Sequence, residues 1–551
     1  MNKKISLFFI FIFLISTELW AENQLYHYHT NQENHKLIKQ ITKQHKEIMK
    51  TQVLTETKSG RKVSVVEITG PEKSIAPTIL IVGGLEGDEL TSTEICMDLI
   101  KYIAANYHKN EDLRRLLRQA NLSIIPQANP EAQDIYFENP VYNRKTNHVS
   151  TDDDLDGIIS EDPFNDLNGD GIIAMMRVED LQGDWIVHKD YPVMKKWASK
   201  DSLKTKYSLY TEGLDDDKDG QINEDPAGGV DINSNYPYNF NFSDQSAGTY
   251  ALSQQESRAI ADYIFEHRNI VMVYAFTGNN NLTELWPATK NKSDEYSQKV
   301  RKQGDIQKIF AEDQSIFKTI SKKYKTHFSS RQYFDDGQSA GNFPEWVYYH
   351  TGRISLTTPA WRFPMDPNDS TRSENKDIEL YKWLQRTGQR DKFLDWQQID
   401  HPDFPGQTVE IGGFHPYCRN NAPEDSLKQL CEAYRPFVFS LCEMMPRIDI
   451  AKIETTGLHD HLYRVEVFVQ NNGQLPTATE LGTHIKWVSK IRVNMDEKAE
   501  IISGKKFYLI DKLDGNGGIQ KLTWLIKSNQ KKIAIKLHSP VFGDMTKEVT
   551  L

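Results

Sequence analysis

Two glutamates, Glu86 and Glu89, lie three residues apart directly after a hydrophobic run and a glycine turn, in the segment ILIVGGLEGDE at 79–89. Paired carboxylates at this spacing offer oxygen ligands to a metal ion, or a proton acceptor for general acid–base catalysis. Paired acids in a glycine turn are more commonly solvated or bonded to nearby backbone N–H groups. Glu86 and Glu89 therefore form a candidate two-carboxylate site, with a structural role as the alternative.

A second set of acidic side chains recurs in loops. The segments DDDLDG at 152–157 and DDDKDG at 215–220 begin the same longer pattern, and DLNGDG at 166–171 is a partial third copy. Alternating oxygens followed by a glycine are typical of loops that wrap Ca²⁺, although the glutamate at position twelve of an EF-hand is missing. Solvated acidic loops without metal are the alternative. The predicted calcium ligands are Asp152, Asp154, Asp156, Asp166, Asn168, Asp170, Asp215, Asp217 and Asp219.

Short apolar strands alternate with helices around these residues. Apolar runs at Thr78–Val82, Leu122–Pro126 and Ile270–Phe276 predict buried strands. Leu90–Tyr107 and Gln254–His267 carry apolar residues at the three- and four-residue spacing of a helix face. This alternation predicts an α/β domain in which a sheet packs between helices.

The pattern changes after a helix predicted for Pro423–Met445. Apolar and polar residues then alternate in four short runs, which is typical of an antiparallel β-sandwich: His461–Gln470, Ile485–Val493, Ile519–Ile526 and Lys532–Leu537. We therefore predict a signal peptide at 1–21, an α/β domain at 22–446 with acidic loops at 152–173 and 215–226, and a β-sandwich domain at 447–551.

Composition and the N-terminal segment restrict the functional class. Met1–Ala21 has a positive start, an apolar run and a small residue at its end, which predicts a cleaved secretory signal. A membrane anchor is the alternative, but the apolar run is short for a bilayer span, and no later segment is long and apolar enough to cross a membrane. The formal net charge of −11 argues against a nucleic-acid partner. These features predict a secreted or periplasmic protein.

Several ordered motifs between about residues 39 and 446 resemble the carboxypeptidase A-like zinc carboxypeptidases, and among them large exported bacterial members. The resemblance implies a mixed sheet between helices and a zinc ion held by a His-x-x-Glu turn and a second histidine. Here Glu86 stands in the place of the turn's histidine, and Glu89 aligns with its glutamate. The second histidine aligns with Thr277 in the segment YAFTG. Thr277 is a poor zinc ligand, so the resemblance implies a degenerate metal site.

The same resemblance assigns the substrate-binding and catalytic positions. Arg144, in NRKT, aligns with the arginine that polarises the scissile carbonyl, and Asn233 aligns with the asparagine that holds the terminal carboxylate. Ser234 replaces the arginine that pairs with that carboxylate, and a serine cannot form the bidentate pair. Pro359 replaces the general-base glutamate and has no titratable group.

Four expected groups are therefore replaced while the flanking segments still match. We predict an exported, catalytically degenerate carboxypeptidase homologue that binds a peptide, a peptidoglycan fragment or a glycan in the former active-site cleft. An active metallocarboxypeptidase or amidase with an altered metal shell built around Glu86 and Glu89 is one alternative. A scaffold that makes protein contacts through its sandwich and calcium loops is another. The predicted cofactor is calcium, and the loss of both histidines argues against zinc.

Overall fold

The computed structural model describes residues 26–70, 75–149, 162–198, 201, 204–218, 220–223, 228–289, 308–328, 340–364, 373–485 and 487–551. The predicted signal peptide and the predicted calcium ligands Asp152, Asp154, Asp156 and Asp219 lie outside the described residues. Within the described ranges, no helix combines the length and the apolar character needed to cross a membrane.

A six-stranded mixed sheet forms the centre of the α/β domain, in the order β1-β2-β4-β3-β9-β10. The strands β4, β3, β9 and β10 run parallel to one another. Strand β2 is antiparallel to both of its neighbours, β1 and β4. Every residue of β3 is buried, as expected of an interior strand in a parallel sheet. The strands are β1 (Met49–Glu56), β2 (Lys62–Ile68), β3 (Thr78–Val82), β4 (Asn121–Ile125), β9 (Ile270–Phe276) and β10 (Ile354–Thr358).

Helices of this domain share one hydrophobic core with the sheet. Helix α2 buries Ile95, Leu99 and Ile103, which lie about one turn apart on one face. Local signals set the helix ends: a capping box of Thr30 and Glu33 starts α1, and Gly352 with φ 68° ends α7. The helices are α1 (Asn31–Gln44), α2 (Thr91–Asn106), α3 (Glu111–Gln119), α4 (Pro130–Asp134), α5 (Gln255–Glu266), α6 (Gln314–His327), α7 (Phe343–Thr351), α8 (Lys376–Arg386), α9 (Glu424–Met444) and α10 (Glu480–Thr483).

A second six-stranded sheet, which the sequence analysis did not predict, is antiparallel and has the order β11-β12-β5-β8-β6-β7. Its small core is formed by Met176, Val178, Val409 and Ile411. The acidic loop at 166–171 precedes β5, and the acidic loop at 215–220 follows β8. The strands are β5 (Met175–Glu179), β6 (Trp185–Val187), β7 (Met194–Lys196), β8 (Tyr207–Thr211), β11 (Phe393–Ile399) and β12 (Val409–Phe414).

The C-terminal region consists of two four-stranded antiparallel sheets, ordered β13-β14-β18-β16 and β17-β15-β19-β20, which confirms the predicted β-sandwich. The strand predicted at Ile485–Val493 begins only at Ile491, because turns and bends follow the short helix α10 at the start of this stretch. The strands are β13 (Ile448–His459), β14 (Leu462–Asn471), β15 (Ile491–Met495), β16 (Glu500–Ser503), β17 (Phe507–Ile510), β18 (Ile519–Lys527), β19 (Lys532–His538) and β20 (Met545–Thr550).

Buried polar contacts join the sandwich to the α/β domain. The fully buried carboxylate of Asp313 accepts hydrogen bonds from the backbone N–H of Glu480 at 2.6 Å and from the Tyr348 hydroxyl at 2.8 Å. The Thr479 hydroxyl donates to the carbonyl of Gly352 at 2.7 Å. Because these groups are shielded from water, each bond also prevents a buried polar group from remaining unsatisfied.

Candidate functional site

The candidate cleft residues lie where the parallel strands of the central sheet end. Glu86 and Glu89 follow β3, Thr277 directly follows β9, and Pro359 directly follows β10. The carboxyl ends of neighbouring parallel strands meet at one edge, which is the usual place for a ligand site in an α/β sheet. The fold therefore brings together residues that are far apart in the sequence.

Glu86 is held by the protein itself. Its Oε1 atom accepts hydrogen bonds from Asn233 Nδ2 at 2.9 Å and from the backbone N–H of Gly278 at 3.1 Å. Asn233 is fixed in turn, because its Oδ1 atom accepts from the backbone N–H of Phe343 at 3.1 Å. Two N–H donors are thus directed at one oxygen of the carboxylate. This bonding matches the structural role that the sequence offered as the alternative to a metal or catalytic site.

Glu89 is more deeply buried, with 1% of its surface exposed. Its Oε1 atom accepts from the backbone N–H of Ala360 at 3.1 Å. Its Oε2 atom has no hydrogen-bond partner and lies 3.6 Å from a guanidinium nitrogen of Arg362. Burial raises the pKa of Glu89 to about 8, and Glu86 adds to this shift while Arg362 opposes it. The folded protein therefore holds Glu89 mainly in its neutral form at pH 7.

The positions of the second histidine and the general base hold groups already bonded within the protein. The buried Thr277 hydroxyl lies 2.8 Å from the Thr357 hydroxyl and accepts from the backbone N–H of Asn279 at 3.1 Å. The carbonyl of Pro359 accepts from the Tyr434 hydroxyl at 3.2 Å. At pH 7 these groups cannot accept a proton from water, because none of them is a base of suitable pKa.

Two residues that the sequence analysis did not single out add charge at the cleft. The half-buried Asp231 accepts from the backbone N–H of Asn233 at 2.9 Å and from the Ser234 hydroxyl at 3.1 Å. Burial raises the pKa of Asp231 to about 7, and nearby Glu86 contributes. The exposed Lys145 side chain lies near Asp88, Glu86 and Asp231, whose negative charges raise its pKa. Lys145 adjoins Arg144 in the sequence, but only the fold shows which acids surround it.

Arg144, predicted to contact substrate, is buried and largely used by the protein. Its Nε atom donates to the Thr146 carbonyl at 2.9 Å, and one terminal nitrogen donates to the carbonyls of Asn147 and Gly228 at 2.5 and 2.6 Å. The other terminal nitrogen donates to the Tyr142 hydroxyl at 2.9 Å. A guanidinium has five N–H donors, so these contacts leave one for a ligand. Asn233, the other predicted contact, has both side-chain atoms bonded within the protein.

These residues do not fit a zinc ion. Zinc sites in proteins are built mainly from histidine and cysteine, with about three protein ligands. Here Glu86 accepts from two N–H donors, and Glu89 accepts from the N–H of Ala360 through Oε1. The guanidinium of Arg362 lies 3.6 Å from Glu89 Oε2, so a positive charge already stands beside the atom that a metal would bind. Within the described ranges, the group of three histidine or acidic side chains close enough to share an ion lies elsewhere, at His45, Glu47 and His108.

The acidic loop at 166–171 is closed by its own backbone. Asp166 accepts from the N–H groups of Gly169 at 2.8 Å, Asp170 at 3.2 Å and Gly171 at 2.8 Å. Asn168 accepts from the N–H of Asp170, and Asp170 from that of Ile172. The alternating oxygens therefore lie along a tight turn, as the sequence pattern requires.

The described residues of the loop at 215–220, which leave out Asp219, lie beside the loop at 166–171. Asp215 Oδ2 accepts from the N–H of Gly220 at 3.1 Å, while its Oδ1 atom is buried without a hydrogen-bond partner. Asp217 is exposed. The fully buried Asp162, shortly before the loop at 166–171, accepts from the N–H groups of Asp216 and Asn223 at 2.8 and 2.5 Å. Asn165 Nδ2 donates to Asp216 Oδ2 at 3.3 Å. The tertiary structure thus brings together two acidic segments that the sequence separates by about forty-five residues.

A buried acid beneath the loops was missed by the sequence analysis. Glu212, at the end of β8, is fully buried and accepts from the N–H groups of Leu167 at 2.8 Å and Ala174 at 3.0 Å. Burial raises its pKa despite these bonds. Nothing in the local sequence marks Glu212, because its role depends on a contact with a segment forty-five residues earlier.

Comparison with known proteins agrees with this architecture. The family described as zinc carboxypeptidase matches residues 34–170 and 195–369, and a domain of unknown function (DUF8731) matches residues 447–550. Carboxypeptidase SOL1 of Arabidopsis thaliana is 27% identical over 141 residues, which cover 25% of this chain and 27% of that relative. The chain therefore aligns with only about a quarter of that protein's length.

The chain is also similar, at low identity and with TM-scores below 0.5, to solved structures. Bovine thrombin-activatable fibrinolysis inhibitor, in complex with tick carboxypeptidase inhibitor, is 11% identical with a TM-score of 0.39, covering 76% of this chain and 96% of that chain. Carboxypeptidase A from Helicoverpa armigera is 11% identical with a TM-score of 0.40, covering 78% of this chain and 80% of that chain. The predicted fold and the predicted resemblance are confirmed, and because the family match extends over more than half of the sequence, this chain belongs to the zinc carboxypeptidase family.

Proposed function

We propose that this protein is an exported, catalytically degenerate member of its family that binds a ligand at the former active-site cleft. The observation that carries the proposal is the bonding of Glu86, whose carboxylate is satisfied by Asn233 and by the N–H of Gly278. A metal at this position would compete with both donors. It would also lie close to a cluster that already contains Arg362 and Lys145.

The absence of a base at the expected position supports the same proposal. Pro359 has no titratable group, and Thr277 is engaged with Thr357. Glu89 is the strongest remaining candidate for proton transfer, but its Oε1 atom is bonded to the N–H of Ala360 and its pKa is raised to about 8. A neutral buried acid is a poor general base at pH 7.

The charges at the cleft suggest what a ligand would contact. Lys145 is an exposed cation, and Asp231 is a half-buried acid whose pKa is near 7. Such groups can bind the carboxylate and the N–H or O–H donors of a peptide, a peptidoglycan fragment or a glycan. Arg144 contributes less than the sequence suggests, since four of its donors serve the protein.

Calcium is proposed as a structural cofactor of the acidic loops. The alternating oxygens of Asp166, Asn168 and Asp170 lie on one tight turn, and the buried Asp215 Oδ1 atom lacks a partner in the neighbouring loop. Calcium prefers oxygen ligands and tolerates irregular geometry. The ion would offset the repulsion between the acids that Asp162 holds together. Export is proposed from the sequence of Met1–Ala21 alone.

Peptide hydrolysis is the first test. The mature protein, incubated with added zinc and a broad library of peptides, is expected to release no C-terminal residues. The Glu89→Ala variant is assayed beside it, with Glu497→Ala as a control at an exposed acid of the sandwich. Release that is sensitive to a chelator, and lost in Glu89→Ala but not in Glu497→Ala, would show an active metallopeptidase and refute the proposal.

Ligand binding is the second test. Cell-wall peptides and glycans are screened by the shift that they cause in the melting temperature. A genuine cleft ligand should lose its effect in Lys145→Ala and keep it in Lys318→Ala, which removes an exposed lysine from helix α6. A shift that survives in Lys145→Ala would place binding outside the cleft.

A further inference from the structure

Arg353, immediately before β10, is a buried cation with an unsatisfied donor. Only 4% of its surface is exposed. Its Nε atom donates to the carbonyl of Ile270 at 2.8 Å, and one terminal nitrogen donates to the carbonyl of Ile264 at 2.8 Å. The other terminal nitrogen, Nη1, has no hydrogen-bond partner. A buried N–H group without an acceptor is costly, and it is more so on a charged group.

Within the described ranges, no carboxylate forms an ion pair with this guanidinium. Burial alone lowers the pKa of Arg353 to about 10, so the side chain remains charged at neutral pH. Buried charges in proteins are normally paired with an opposite charge. The unsatisfied Nη1 atom and the missing counter-charge both favour an anionic group at this position.

A cavity lies beside Arg353, between the α/β domain and the sandwich. Its lining includes Arg268 and Arg353 from the α/β domain, and Thr477, Trp487 and Ser489 from the C-terminal region. The centre of a water molecule can occupy about 30 Å³ of this cavity. One water needs about 10–15 Å³ on this measure, so the space suits a pair of waters or one small anion.

The polar atoms around the cavity favour an anion. The Ser489 hydroxyl oxygen is buried and has no hydrogen-bond partner, so its O–H is a second available donor. Arg268 and Trp487 are exposed, so the cavity is bordered by residues that solvent reaches. Arg268 forms no ion pair with any carboxylate in the described part of the chain. The described residues that line the cavity thus include two arginines and the unpartnered Ser489 hydroxyl, and none of them is acidic.

We propose that this cavity is an anion-binding site that takes a halide ion or a single carboxylate group. The Nη1 atom of Arg353 and the Ser489 hydroxyl donate to the anion, and Arg268 attracts it at the mouth. The site lies at the amino end of β10, whereas the cleft lies at the carboxyl end, so the two are separate. A bound anion contacts both domains and therefore stabilises their junction, beside the Thr479 bond to Gly352.

Thermal unfolding at constant ionic strength tests the site. Sodium chloride and sodium acetate are compared with the sodium salt of a bulky sulfonate that is too large for the cavity. The wild-type melting temperature should rise by about 1–3 °C and saturate with the small anions. The rise should be absent in Arg353→Met and reduced in Arg268→Gln, but unchanged in Arg464→Gln, which removes an exposed arginine of β14. A response shared by wild type and Arg353→Met would be a general salt effect and would overturn the proposal.

A crystal of the wild-type protein grown with sodium bromide gives a test that needs no variant. Bromide is expected beside Arg353 Nη1 and the Ser489 hydroxyl, visible by its anomalous scattering. Acetate density at the same place in a second crystal would identify carboxylate as an accepted occupant. If the cavity holds only ordered water under both conditions, the anion site is wrong, whether or not Arg353→Met folds.

Discussion

The raised pKa of Glu89 predicts that its replacement by glutamine removes a pH-dependent loss of stability. The folded protein keeps this carboxyl protonated up to about pH 8, because the side chain is 1% exposed and its Oε2 atom lacks a donor. Glutamine has the same shape and no proton to lose. In Glu89→Gln the amide oxygen can still accept from the N–H of Ala360.

The sign follows from the two protonation states. Below pH 4.5 the folded and unfolded chains both carry the proton, and Glu89 does not make stability depend on pH. Between pH 4.5 and about pH 8 the unfolded chain releases the proton and the folded chain retains it, so the free energy of unfolding falls as pH rises. The slope is about 1.4 kcal/mol per pH unit. From pH 5 to pH 8, wild type should lose about 3.5 kcal/mol relative to Glu89→Gln, because the slope is smaller near each pKa.

Urea unfolding at several pH values between 5 and 8 measures this difference. Glu497→Gln serves as the control, since Glu497 is exposed, and its difference from wild type should not grow with pH. The reasoning is refuted if wild type and Glu89→Gln keep a constant difference over this range. That result would mean that Glu89 is ionised in the folded protein, as it would be beside a bound metal ion. If the site binds no zinc, as we propose, repeating the series with added zinc should leave the difference between wild type and Glu89→Gln unchanged at every pH.

Three further outcomes are expected. Arg144→Met should lower the free energy of unfolding by about 2–4 kcal/mol in urea titrations, because it removes four donated hydrogen bonds. If this variant loses a ligand's effect while its own stability is unchanged, the structural role of Arg144 is wrong. Asp313→Ala should lower the free energy of unfolding by about 2–4 kcal/mol, because it leaves the N–H of Glu480 and the Tyr348 hydroxyl without their acceptor. An unchanged denaturation midpoint would show that this contact does not hold the domains together. Calcium at a hundredfold excess over its Kd should stabilise the protein by about 2.7 kcal/mol, and a response of the melting temperature that is unaltered in Asp166→Ala would exclude the loop at 166–171.

The strands and helices with strong local patterns could be predicted from the sequence. Thr78–Val82 and Ile270–Phe276 are strands with the predicted bounds, and the helix predicted at Leu90–Tyr107 spans Thr91–Asn106. Continuous apolar runs and helical periodicity are local properties, so they survive in any tertiary context. The second sheet could not be predicted in this way. Its strands are only three to seven residues long, too short to show a clear alternation. The pairing that joins its two halves, β12 with β5, links segments about two hundred residues apart and leaves no local signal.

The sequence by itself determined the family and the replaced residues, because a residue type at a motif position needs no coordinates to be read. It also offered both roles of Glu86 and could not choose between them. The tertiary structure decided that Glu86 is bonded to Asn233, 147 residues away, and that Arg362 faces Glu89. It also decided that Arg353 is buried with an unsatisfied donor. Burial and hydrogen bonding depend on contacts between distant segments, and such contacts exist only when the chain is folded.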